Sequence, residues 1–140
     1  MELYDLIKNI KGNNNEEVLK EKIKIVKERL NGLTEERTCK IYSSMLYEEL
    51  KSESVPSRLI STNDIGAIFD HYFVLVPDNV EGFYVADLTF SQFNKDEIEL
   101  LPLLKNGYMF MDNDLFKKYI NIVAWGNKDI SINDLYYKNK

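Results

Sequence analysis

Residues 71–87 read His71-Tyr72-Phe73-Val74-Leu75-Val76-Pro77-Asp78-Asn79-Val80-Glu81-Gly82-Phe83-Tyr84-Val85-Ala86-Asp87. Apolar side chains recur at period two on either side of a Pro-Asp-Asn turn, which predicts an antiparallel hairpin with strands over 68–76 and 83–88. Phe69, His71, Phe73 and Leu75 then share one face, and Phe83, Val85 and Asp87 share a face of the partner strand. A turn centred on Asn79 sets His71 directly opposite Asp87 with Cβ atoms about 5 Å apart, within reach of an imidazole–carboxylate hydrogen bond. A slip of one residue would set Asp87 opposite Tyr72, on the other face, and remove that contact.

Working outward, Arg58 to Ser61 reads as a further strand after Pro56. Before it, a helix is predicted from near Thr34 to about Ser52, with Glu35 and Glu36 in its first turn and Cys39, Tyr42, Leu46 and Leu50 on one face. Asn15 caps an earlier helix that carries Leu19, Ile23, Val26 and Leu30 as a stripe, with Glu16 and Lys20 as an i,i+4 pair and Gly32 as its stop. Leu3, Leu6, Ile7 and Ile10 predict a short helix ahead of the asparagine-rich loop. Downstream, Asp112 or Asn113 caps a helix bearing Leu115, Phe116, Tyr119 and Val123, and residues 138–140 are expected to fray. The expectation is an α+β fold in one domain spanning 1–140, with helices packed on one side of a small antiparallel sheet. Residues 1–33 supply N-terminal helices, 34–93 the core, and 94–140 a C-terminal helix and extension.

The chain has 140 residues, enough to bury a core without disulfides or a structural metal. Its net charge of −5, with Lys and Arg interleaved with Glu, argues against a nucleic-acid partner. No apolar run approaches the roughly 20 residues of a membrane span. One cysteine cannot close an internal disulfide, and no secretory h-region follows Met1. We therefore expect a cytoplasmic protein, or one exported without a cleaved signal. A lone Cys and a lone His cannot build the usual zinc sets, and Asp112-Asn113-Asp114 lacks the glycine and later glutamate of a calcium loop. No Gly-rich phosphate loop follows a strand. No metal and no cofactor are expected.

The chemistry-bearing residues occur in the order Cys39, His71, Asp87. Thiol catalysis needs a nucleophile, a base to take its proton, and a carboxylate to fix the base's tautomer. The sequence holds one cysteine and one histidine, so the assignment has no competitor. If the helix starts late, at Thr38, the backbone N–H groups of Cys39 and Lys40 are free to hold an oxyanion; a start at Thr34 would consume them. Each residue also has a plainer reading, Cys39 as a small buried hydrophobe and His71 as a structural imidazole paired with a neighbouring carboxylate. A second function class stays open alongside the enzyme: an acidic protein-binding module, immunity or adaptor type, using the aromatic hairpin and residues 108–111 as contact surface.

The stretch from Cys39 to Phe93 resembles the core of transglutaminase-like and papain-like cysteine enzymes, including the bacterial effector branch that deamidates or cleaves host proteins. In that core a cysteine opens a helix, a strand follows, a histidine begins the next strand and an aspartate closes the one after. The run Asp87-Leu88-Thr89-Phe90-Ser91-Gln92-Phe93 looks like the family's Asp-Pro-Thr segment followed by Gln-Phe, with Leu88 in place of the proline. The resemblance implies Cys39 as nucleophile, His71 as base, Asp87 as its orienter, a protein or peptide substrate, and no cofactor. No upstream side-chain oxyanion donor is evident.

Overall fold

A computed structural model of the chain describes residues 15–31, 38–67, 70–78, 82–93, 98–124 and 130–137. The short helix expected at Leu3 to Ile10, the first-turn residues Glu35 and Glu36, and the terminal 138–140 lie outside the described residues. Two helices, α1 (Asn15–Arg29) and α2 (Cys39–Ser52), precede a sheet of β1 (Arg58–Ser61), β2 (Tyr72–Pro77), β3 (Phe83–Ala86) and β4 (Tyr108–Met111). Helix α3 (Leu101–Asn106) leads into β4, and α4 (Asn113–Val123) and α5 (Ile132–Tyr137) follow it. The sheet is antiparallel throughout, in the order β1-β2-β3-β4. The fold is α+β, with helices packed on a small antiparallel sheet.

Helices cover both faces of that sheet, which corrects the expected one-sided packing. Val74, Val76, Tyr84, Ala86 and Tyr108 pack with Leu19, Ile23 and Val26 of α1 and Tyr42, Leu46 and Leu50 of α2. Phe73, Leu75, Phe83, Val85 and Met111 pack with Phe116, Tyr119, Ile120 and Val123 of α4 and Leu135 of α5. The four residues Phe73 to Val76 are each 0% exposed. An unbroken apolar run is what a strand buried on both faces requires.

The hairpin forms, in a register two residues from the expected one. Val74 pairs with Ala86 and Pro77 with Phe83, whereas a turn centred on Asn79 would have paired Val74 with Tyr84. An even shift keeps every side chain on its face, so His71 and Asp87 still share one. They now lie on a diagonal, just outside the strand ends. Residues 108–111, considered from sequence as a contact surface, form β4 at the end of the sheet: Tyr108 and Met111 are buried, and Phe110 stays exposed over Gly82. The anticipated Glu16–Lys20 pair is absent, because Glu16 accepts hydrogen bonds from the hydroxyls of Tyr84 and Tyr108 at 3.4 and 2.8 Å.

Candidate active site

Cys39 is the first residue of α2, with Thr38 as its N-cap. The first intrahelical bond is donated by the Tyr42 N–H to the Thr38 carbonyl at 3.0 Å, so the N–H groups of Cys39 and Lys40 have no helical acceptor. This is the late start considered from the sequence. One turn on, the buried Ser43 hydroxyl donates to the Tyr72 carbonyl at 3.0 Å, and the Cys39 thiol lies 3.9 Å from the Asp70 carbonyl. Successive turns of α2 are thus tied to the backbone on both sides of His71.

His71 is held from below by Thr62, which is fully buried. The His71 N–H donates to Thr62 Oγ1 at 2.8 Å and the Thr62 N–H donates to the His71 carbonyl at 2.8 Å. Ser61 Oγ and the Asn63 N–H both donate to the neighbouring Asp70 carboxylate, tightening the same turn. The Phe93 ring meets the imidazole edge-on, with centroids 4.8 Å apart. The ring's rotation is therefore limited by packing as well as by hydrogen bonds.

Asp87, 1% exposed, completes the arrangement. Its Oδ2 lies 2.6 Å from His71 Nε2 and accepts the Tyr119 hydroxyl, also at 2.6 Å. Its Oδ1 accepts the Thr89 N–H at 3.2 Å and the Thr89 hydroxyl at 3.4 Å. A buried carboxylate is costly unless its lone pairs are used, and here both oxygens are bound. With Nε2 engaged by Asp87, Nδ1 is the ring nitrogen left for a second partner. The exposed Gln92 reaches that nitrogen, its Nε2 lying 3.3 Å from Nδ1.

The electrostatics move the thiol and the imidazole in opposite directions. Burial works against the Cys39 thiolate, yet hydrogen bonds from His71 and the Tyr72 backbone, with the imidazolium charge, outweigh it and hold the thiol below its ordinary value. Burial likewise opposes the His71 cation, and the Asp87 carboxylate overcomes it, pushing the imidazole up from 6.5 to about 9. Burial and Asp87 keep Tyr119 protonated far beyond its usual range, so it remains a donor. Among the described residues no group of His, Cys, Asp and Glu is placed to hold a metal ion.

Of the residues singled out from sequence, the structure sets His71 against Asp87 and places the Cys39 thiol beside the backbone of Asp70, next to His71. Tyr119, Thr62 and the contact of Gln92 with Nδ1 were not assigned from sequence. Tyr119 read as one more core residue on the apolar stripe of α4. Its hydroxyl was the available signal, since a buried phenol requires a partner and a buried aspartate requires donors. Comparisons with protein-family models, with curated proteins and with solved structures find no match to this chain.

Proposed function

We propose that this protein is a cysteine-dependent hydrolase or acyltransferase acting on protein amides, by glutamine deamidation, transamidation or peptide cleavage. The observation that carries the proposal is the meeting of the chain's single thiol and single imidazole beside a buried, fully bonded carboxylate, with the thiol held below its ordinary pKa. A core cysteine kept only for packing, or a module kept only for binding, gains nothing from a stabilised thiolate.

In this reading the Cys39 sulfur attacks the amide carbon of a protein or peptide substrate. The negative charge that develops on the carbonyl oxygen is met by the N–H groups of Cys39 and Lys40 at the start of α2. As the tetrahedral intermediate collapses, the C–N bond breaks and His71 delivers its Nδ1 proton to the departing ammonia or amine. The acyl group remains as a thioester on Cys39. Water or an acceptor amine, deprotonated by the now neutral His71, attacks the thioester and releases acid or amide with the thiolate restored. Asp87 holds the Nε2–H tautomer and stabilises the imidazolium; Tyr119 and Thr89 orient the carboxylate. The reaction calls for no cofactor.

The test incubates the protein with a panel of glutamine-containing proteins and records ammonia release, primary-amine incorporation and new N-termini, against Cys39→Ala. Any of the three products that vanishes in Cys39→Ala supports the proposal and selects among its branches. Absence of all three across the panel, or products that persist in the variant, would overturn it.

A further inference from the structure

Away from Cys39, α1 and the α3–β4 junction flank an open cleft of about 620 Å³. Four lysines line it: Lys20, Lys24 and Lys27 from α1 and Lys105 from the end of α3, against a single carboxylate, Glu28. The lysines of α1 stand at i, i+4 and i+7, so residues interleaved with Glu in the sequence collect on one helix face. Such like-charged spacing costs helix stability unless the charges are answered. Elsewhere on α1 they are: Glu49 of α2 takes Lys22 at 3.2 Å and Arg29 at 2.6 Å. On the cleft side, the carboxylate one turn before Lys20, Glu16, is committed to Tyr84 and Tyr108.

The cleft also has a defined floor. Lys27 reaches over the backbone at Gly107, where a built Cβ would lie 3.6 Å from its Nζ and 3.4 Å from Ile23 Cγ2. Tyr108 and Ile23 supply an apolar surface beneath the ammonium groups. The volume falls within the usual range of small-ligand sites, roughly 300–1,000 Å³. Lysines are compact point charges suited to phosphoryl oxygens, and four of them outnumber the charge of one monoanion.

From this placement we infer that the α1–β4 cleft is a binding site for a small molecule carrying two or more phosphoryl groups, either free or as the headgroup of a lipid. The inference is independent of the chemistry at Cys39. Its gain is greatest at low salt and declines as ions screen the exposed lysines.

The test is isothermal titration calorimetry of the full chain with tripolyphosphate, in buffer of matched ionic strength. Three variants accompany it: Lys24→Gln/Lys27→Gln, the charge-matched Lys117→Gln/Lys118→Gln on α4, and Cys39→Ala. Thermal melting without ligand confirms that each is folded. The expected result is saturable 1:1 binding, weakened about tenfold or more by the cleft variant and changed less than about twofold by the α4 variant and by Cys39→Ala, tenfold being about 1.4 kcal/mol. Sedimentation with vesicles bearing a bisphosphorylated inositol headgroup separates the two sources: co-sedimentation lost in the cleft variant indicates the lipid, and its absence alongside tripolyphosphate binding indicates the free ligand. Equal weakening by both double lysine variants, no binding by millimolar tripolyphosphate, or equal affinity for an oligoglutamate peptide would overturn the assignment.

Discussion

Replacing Tyr119 by Phe should strengthen the basicity of His71 while weakening the fold. The Tyr119 hydroxyl and His71 Nε2 donate to the same Asp87 oxygen, each at 2.6 Å. Removing the phenol hydrogen leaves that oxygen with one fewer donor, so the carboxylate leans harder on the imidazolium. A hydrogen bond to a charged group contributes about 1.5–3 kcal/mol. If about half of that is recovered through His71, its pKa rises by about 0.5–1 unit at 1.36 kcal/mol per unit. The remainder appears as lost stability, about 0.75–1.5 kcal/mol, or a Tm lower by roughly 2–6 °C for a chain of this size. The ring's packing should survive, since Tyr119 meets Phe73 edge-on at 5.2 Å and Phe90 at 5.6 Å through carbon atoms that Phe retains. The assay is NMR titration of the imidazole, which needs no assignment because the chain has one histidine, read beside thermal melting. A downward or absent shift in the His71 midpoint would refute the shared-acceptor reasoning, whatever the Tm does.

Further outcomes follow from the same geometry. Asp87→Asn removes the charge that opposes burial, so the His71 midpoint should fall from about 9 toward or below 6.5 by NMR titration, and the turnover proposed for Cys39 should drop about 10²–10⁴-fold in single-turnover kinetics. Cys39→Ala removes the thiolate but leaves Asp87, so by NMR the midpoint should fall from about 9 yet remain above 6.5. Because the folded value exceeds the unfolded one, the His71 contribution to stability is fully present below about pH 6.5 and lost as pH rises through the folded midpoint, about 9 in the wild type; urea unfolding of Cys39→Ala should show the same loss ending at that variant's own, lower midpoint. Thr62→Val orphans the His71 N–H in a site with 0% exposure, costing about 1–3 kcal/mol by denaturant unfolding, and Gly107→Ala should cost about 1–2 kcal/mol because Gly107 sits at φ +83°.

The parts of the molecule legible in sequence were those governed by local periodicity. The strand Arg58–Ser61, the Asp112 cap of α4 with its side chain accepting the Leu115 N–H, and the stripe Leu19, Ile23, Val26 all appear where the pattern put them. The site survived a register error because the hairpin shift was even, and parity alone decides the face. Features set by long-range packing were not legible. Residues 108–111 have too few positions to show a period, and they become a strand only because β3 offers an unpaired edge. The second helical layer was readable in principle from the unbroken run Phe73 to Val76, which an alternating reading treated as one-sided. Glu16 abandons its i,i+4 lysine for two tyrosine hydroxyls, and Tyr119 reaches Asp87 across a separation of 32 residues, neither of which local spacing encodes.

The central claim is that Cys39 is held as a thiolate by His71. The direct measurement is the rate of iodoacetamide alkylation of Cys39 between pH 5 and 10, located by mass, for the wild type and for His71→Ala. The account predicts a labelling midpoint in the wild type that lies below the ordinary thiol range and rises in the variant, where the thiol loses the imidazole's hydrogen bond and charge. Labelling that rises with an ordinary midpoint near 8.5 in both proteins, or fails altogether in the folded wild type, would contradict it.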